Sequence, residues 1–167
     1  MSEFIKGLRS KIGHDLLQVP TAGVLIFDED RRVLLVRHSE GNQWTSPGGM
    51  VEPYETPADA AVREMWEETG LLVELVRVLG VFGGLEFSTT YANGDQISWV
   101  STVFEGRTRS GTMRPDGMEI LETRYFHEEE IQTLRCKPRL RTVLSVVFGT
   151  YSETYFQPPT WSPDRCV

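Results

Sequence analysis

The stretch Pro47–Leu71, PGGMVEPYETPADAAVREMWEETGL, decides how the rest of the chain is read. Thr56 stands where a cap would accept a backbone N–H, Pro57 suits the first helical position, and Asp59 follows three residues after the cap. Gly70 falls where a left-handed residue would end the helix. The spacing predicts a helix of about fourteen residues with both ends marked. At about 100° per residue, Glu64, Glu67 and Glu68 share an arc of about 100°. Val62, Met65, Trp66 and Thr69 occupy a neighbouring, mostly apolar arc that is expected to be buried. Ala60 and Ala61 fall on the acidic side and are expected to keep that face open and narrow.

Crowded carboxylates repel, costing a few tenths of a kcal/mol per i,i+4 pair, and an arbitrary cluster of glutamates is most often a solvated face. Here the acids adjoin Gly48-Gly49. Three carboxylates beside a turn that offers backbone carbonyls form the hard oxygen set that Mg²⁺ or Mn²⁺ prefers, leaving positions for water and phosphate. Arg63, directly before the first acid, can grip a carboxylate through two parallel bonds, and Glu55 is the candidate partner.

Outward from this helix the pattern is mostly β. Thr21 to Phe27 and Arg32 to His38 are apolar, β-branched runs around Asp28-Glu29-Asp30 and read as a hairpin. Val78 to Phe87 and Gln96 to Phe104 form a second pair around Tyr91-Ala92-Asn93-Gly94-Asp95, where Asn-Gly supplies the positive φ of a tight reversal. A last strand is expected over Ile120 to Phe126, then helices over His127 to Leu134 and Pro138 to Val147. Residues 1–18 read as an N-terminal arm or helix, 19–150 as one domain, and 151–167 as an aromatic, Pro-rich tail packed on it. The fold class is α/β (α+β) with a mixed sheet.

The chain has 167 residues, with 17 Lys and Arg against 24 Asp and Glu and a net charge of −7. The hydrophobic share of 40% supports one core. An acidic balance argues against a long nucleic acid as partner, whereas a small phosphorylated substrate held through a metal ion remains compatible with it. The apolar runs Val24–Phe27 and Val33–Val36 are far shorter than the ~18 residues of a spanning helix, so no membrane partner is expected. The start lacks the apolar core of a signal peptide, and Cys136 and Cys166 form no metal-type pair. A reducing, cytoplasmic setting is therefore expected.

The run Gly49, five residues, Glu55, seven residues, then Arg63-Glu64-Met65-Trp66-Glu67-Glu68-Thr69-Gly70-Leu71 resembles the Nudix box at every fixed position. The resemblance implies an α/β/α sandwich, with the box as loop, helix and loop, and Mg²⁺-dependent hydrolysis of a nucleoside diphosphate linked to another moiety. By position it implies that Glu64, Glu67 and Glu68 ligate the metal with the Gly48 carbonyl, and that Glu55 and Arg63 are an orienting pair. The general base varies within such a family. Glu67 or Glu68 is one choice, and an acid before the last strand, Asp116, Glu119 or Glu122, is the other; Glu119 is favoured.

More loosely, the segments Leu8–His14, Trp44–Gly49 and Tyr91–Asp95 resemble a bacterial ADP-ribose pyrophosphatase-like subgroup, with Ala92 where that group usually has Pro. For the rest of the substrate, Trp44, Phe82, Phe87, Tyr91 and Trp99 are candidates to stack on a base, each competing with a core role. Arg37 and His38 at a strand end are candidates for phosphate. The arm and the aromatic tail offer surface for a homodimer. Two other activities compete: pyrophosphate removal from RNA 5′ ends, weakened by the lack of a basic stripe, and nucleotide binding without cleavage, weakened by the complete set of box acids.

Overall fold

The computed structural model describes residues 3–149, 153–156 and 158–159. Helix α1 (Glu3–Ile12) leads into β1 (Leu17–Ile26), followed by β2 (Val33–His38), β3 (Gln43–Thr45) and β4 (Gly48–Met50). Helix α2 (Pro57–Thr69) runs straight into β5 (Leu71–Phe82). After it come β6 (Ser88–Thr90), β7 (Gln96–Gly111), β8 (Ile120–Phe126), the short α3 (Glu128–Ile131), α4 (Pro138–Val147) and β9 (Tyr155–Phe156). One sheet has the order β4-β1-β7-β5-β9, with β6 also paired to β7, and a smaller one the order β3-β2-β8. The β1–β7 pairing is parallel and β5–β7 antiparallel, so the sheet is mixed as expected.

Side chains alternate across these strands and so divide the core. Ala22, Val24 and Ile26 of β1 and Leu34 of β2 pack with Ala60, Ala61 and Met65 of α2. Val19 and Leu25 of β1, with Val33 and Leu35 of β2, pack on the other side with Leu140, Val143 and Leu144 of α4. Helices therefore cover opposite faces of the sheets. Among the described residues no helix is long and apolar enough to cross a membrane.

Several expectations need correction. β1 and β2 do not form a hairpin beyond the single bridge Phe27–Val33, because β4 and β7 take both edges of β1. The Asp28 carboxylate, accepting from the backbone N–H groups of Asp30 and Arg32, makes a reversal that sends β2 into the other sheet. The Asn-Gly turn joins β6 to β7 rather than closing a β5–β7 hairpin, and Phe87 sits in a 3₁₀ turn, Leu85–Phe87. β5 starts directly after Gly70, earlier than its apolar run suggested. The helix expected over His127–Leu134 is a single turn.

On α2, Met65 and Thr69 are buried as expected, but three neighbours differ. Ala60 and Ala61 are fully buried against β1, their small size letting the helix approach the sheet, while Trp66 is 52% exposed. Of the tail, β9 pairs in parallel with β5, and the Tyr155 ring stacks on Phe82 with centroids 5.4 Å apart. Tyr151, Trp161 and Cys166 lie outside the described residues.

Candidate active site

Helix α2 is held at both ends by the devices its sequence encodes. The Thr56 hydroxyl accepts the Asp59 N–H at 3.1 Å, Pro57 opens the helix, and Gly70 at φ 72° donates to the Trp66 carbonyl. So fixed, it presents its acids to β4. The Gly48 N–H donates to Glu68 Oε2 at 2.9 Å. Gly48 has φ 145° and lies against the Ala22 backbone, and a Cβ on Gly49 would collide with the Glu64 carboxylate. Both glycines are therefore required for close approach.

Arg63 organises the outer side of this ridge. Its Nε and Nη2 reach Glu55 Oε1 and Oε2 at 2.8 and 2.9 Å, and Nη2 also donates to the Met50 carbonyl at 3.1 Å. Its Nη1 donates to Glu64 Oε1 at 2.8 Å and to Glu67 Oε2 at 3.0 Å. Hydrogen bonding to Arg63 holds the Glu55 carboxyl below its ordinary range, and Glu55 in turn raises the Arg63 guanidinium. Glu55 Oε2 also accepts the Glu52 N–H, closing the loop before the helix.

Glu64 and Glu68 behave oppositely to Glu55. Burial pushes Glu68, only 8% exposed, well above the usual carboxylate range, and Glu64 and Glu119 add repulsion that the Gly48 N–H partly offsets. Burial likewise raises Glu64, against the pull of Arg63 and with the repulsion of Glu67 and Glu119. Among the described residues no group of three His, Cys, Asp or Glu side chains is set to hold a metal ion as it stands. Two of the acids are instead turned to Arg63. The donor chemistry still fits a hard divalent cation: four carboxylates face one another across a partly dehydrated cleft, and the buried one has a single hydrogen bond.

That cleft has a volume of about 480 Å³ and joins Gly48, Gly49, Glu64, Glu67 and Glu68 to Glu119. Of Asp116, Glu119 and Glu122, only Glu119 lines it, and Glu122 lies within β8 rather than before it. Asp116 Oδ1 accepts the backbone N–H groups of Met118, Glu119 and Ile120, so Asp116 shapes the turn. Glu122 is paired with Arg37 at 2.9 Å. Glu119 Oε1 lies 3.1 Å from His38 Nε2, and His38 Nδ1 accepts the Glu40 N–H at 3.3 Å. The imidazole proton therefore sits on Nε2 and is donated to Glu119. Burial, then Lys137, lowers the His38 pKa, keeping that ring neutral near pH 7.

The expected substrate residues divide. Phe87 and Tyr91 line the cleft, as does Trp99. Arg37 does not, because its guanidinium is taken by Glu122 and by Asn42 Oδ1. Trp44 does not either: it is 8% exposed and packs edge-on against Phe126, with centroids 4.6 Å apart. His14 pairs with Asp95 at 2.7 Å, and Arg9 donates to the carbonyls of Gly13, Asp15 and Gln96. The Leu8–His14 segment thus clamps α1 to the 91–95 turn.

Two cleft residues escaped the sequence reading, Lys137 and Arg139. The Trp44 N–H donates to the Arg135 carbonyl and the Lys137 N–H to the Trp44 carbonyl, at 2.9 and 3.0 Å, which carries this segment to the cleft. Their signal was a pair of cations flanking Pro138 at a helix start, where the helix dipole favours acids.

Residues 17–146 match the family model described as NUDIX domain. The chain belongs to the NUDIX family. Divalent metal ions are the general cofactors of this family. The NUDIX chain is 34% identical over 121 residues to the mouse protein named diphosphoinositol polyphosphate phosphohydrolase 2, covering 66% of this chain and 68% of that one. It is 43% identical over 67 residues to a MutT-like protein of Streptomyces ambofaciens, a match spanning 40% of this chain and 43% of that relative. A MutT NUDIX hydrolase from Burkholderia pseudomallei superposes with a TM-score of 0.66 at 25% identity, covering 78% of this chain and 98% of that one. The mouse relative is named a phosphohydrolase and the Burkholderia protein a hydrolase, in keeping with a hydrolase acting on acid anhydrides.

Proposed function

We propose that this NUDIX chain is a pyrophosphohydrolase that uses Mg²⁺, or Mn²⁺ in its place, to cleave the diphosphate of a small nucleoside diphosphate derivative. ADP-ribose, a nucleotide sugar and a nucleoside triphosphate are the substrate types in view, and cleavage proceeds by attack of water on phosphorus. One observation carries the reading: the box acids Glu64, Glu67 and Glu68 share a cleft with Glu119, which approaches from the opposite strand end. Arg63 pairs with Glu64 and Glu67, but among the described residues no cation pairs with Glu68, and such a gathering of carboxylates calls for a divalent ion and repels a bare diphosphate.

Glu64, Glu67 and Glu68 would hold the ion with the Gly48 carbonyl, and the ion supplies charge neutralisation at the diphosphate oxygens. Arg63 and Glu55 keep the ridge in place through the bonds described above. Glu119 accepts the proton of the attacking water on its free oxygen, Oε2, while His38 fixes Oε1. Tyr91 and Phe87 line the cleft where the remainder of the substrate lies.

The test is hydrolysis of ADP-ribose, nucleoside triphosphates, dinucleoside polyphosphates, NADH and CDP-alcohols, with Mg²⁺ and with EDTA. Turnover of at least one substrate is expected with Mg²⁺ and none with EDTA. In Glu67→Gln a loss of about 10³-fold or more is expected with the fold intact. Near-normal turnover in that variant, or ligand binding with no release of product, would defeat the reading.

A further inference from the structure

Opposite the carboxylates the cleft changes sign. Lys137 and Arg139 line it, and neither makes an ion pair or side-chain hydrogen bond among the described residues. No fully buried side-chain nitrogen or oxygen lacks a partner, so their charged ends open into the cleft rather than being sealed in the core. Arg139 lies over the Trp99 ring, its guanidinium carbon 4.6 Å from the centroid. That contact anchors the guanidinium at the ring, and among the described residues no side-chain acceptor takes its N–H groups, which a bidentate acceptor can therefore use.

Both cations feel the charges that share the cleft. Arg139 repels the charge on Lys137 while Glu40, Glu68 and Glu119 favour it, and Tyr91 and Glu40 favour that on Arg139. Burial and mutual repulsion both disfavour the charge on Lys137. Both cations also sit at the start of α4, where the helix dipole opposes positive charge, and no acid occupies its first turn. Glu40 offsets part of that cost for both cations, and Glu68 and Glu119 part of it for Lys137, but among the described residues no carboxylate pairs with either, which leaves both able to take an anion.

We infer that Lys137 and Arg139 form a subsite for a further phosphate of the substrate, beyond the diphosphate that is cleaved, so that the favoured substrates are polyphosphorylated. This rests on the proposed hydrolysis for its other end. A phosphate fits better than a carboxylate, because it carries up to two charges and three acceptor oxygens for two adjacent cations. It also fits better than a stacked base at this point, because Arg139 already covers one face of Trp99.

The test has two arms. Inorganic tripolyphosphate is titrated calorimetrically in EDTA into the full chain and into Lys137→Met, Arg139→Met and Arg139→Lys. Binding by wild type, about tenfold or more weaker in each Met variant and partly kept in Arg139→Lys, is expected. In the second arm, with Mg²⁺, kcat/KM is compared for adenosine 5′-tetraphosphate and ADP-ribose. Their ratio is expected to fall about tenfold in Arg139→Met, through KM. Equal tripolyphosphate binding by wild type and folded variants, or an unchanged ratio, overturns the subsite. Should no phosphoanhydride be hydrolysed by wild type, the proposed function fails, and the tripolyphosphate arm alone decides the subsite. Arg139→Lys, which keeps the charge over Trp99, guards against a variant that merely misfolds.

Discussion

Single side chains decide what each acid near the cleft can do. Glu119 lines the cleft with its side chain 64% exposed and one oxygen held by a neutral imidazole. Asp116 and Glu122, equally acidic on paper, are committed to a turn and to Arg37. Glu119→Gln is therefore expected to lower kcat by about 10²-fold or more with KM changed little, as removal of a general base does. Glu122→Gln is expected to stay within a few-fold of wild type. Steady-state kinetics on one hydrolysed substrate separates them, and equal turnover by Glu119→Gln and wild type would return the base to Glu67 or Glu68. Burial holds the Tyr91 phenol above its ordinary range, so it faces the cleft as a neutral hydroxyl.

At the scale of elements, α2 is a helix whose ends are set locally and whose position is set by the sheet. Thr56→Ala removes the cap to Asp59 and is expected to cost about 1 kcal/mol. For a chain of this length that lowers the thermal midpoint by about 2–4 °C, read by calorimetry, with the box chemistry retained. Because cap, proline and terminal glycine are local, this helix was legible in the sequence, as was β8 with its apolar run. Strand partners were not. β1 looked like half of a hairpin, yet its edges are claimed by β4 and by β7, which lies about eighty residues further on. Nor does a helical wheel say which flank meets the sheet. Ala60 and Ala61 turn out to be that flank because only small residues allow the approach. The box carboxylates and Glu119 could be named from spacing, whereas Lys137 and Arg139 reach the cleft through the pairing of Trp44 with the segment before α4.

Over the whole molecule, the same burial that shapes the ridge makes stability depend on pH and on cations. The Glu68 pKa is raised above its unfolded value of 4.5, chiefly by burial. Its protonated form is thus the one the metal-free fold favours. The associated stability is fully present below the unfolded pKa and is lost as pH rises through the raised folded value. Urea unfolding in EDTA should therefore give a midpoint that falls as pH climbs past the ordinary carboxylate range, and Glu68→Gln should flatten that decline. A divalent ion held at the ridge as proposed would reverse the balance, since it would bind the ionised carboxylates of the folded chain alone. At 100 times its dissociation constant, Mg²⁺ would add about 2.7 kcal/mol, or roughly 5–10 °C in thermal midpoint. Glu64→Gln and Glu68→Gln should each shrink that gain at neutral pH without lowering the EDTA midpoint. An Mg²⁺ shift of equal size in wild type and both variants would mean that the ion acts elsewhere on this acidic surface rather than at the ridge.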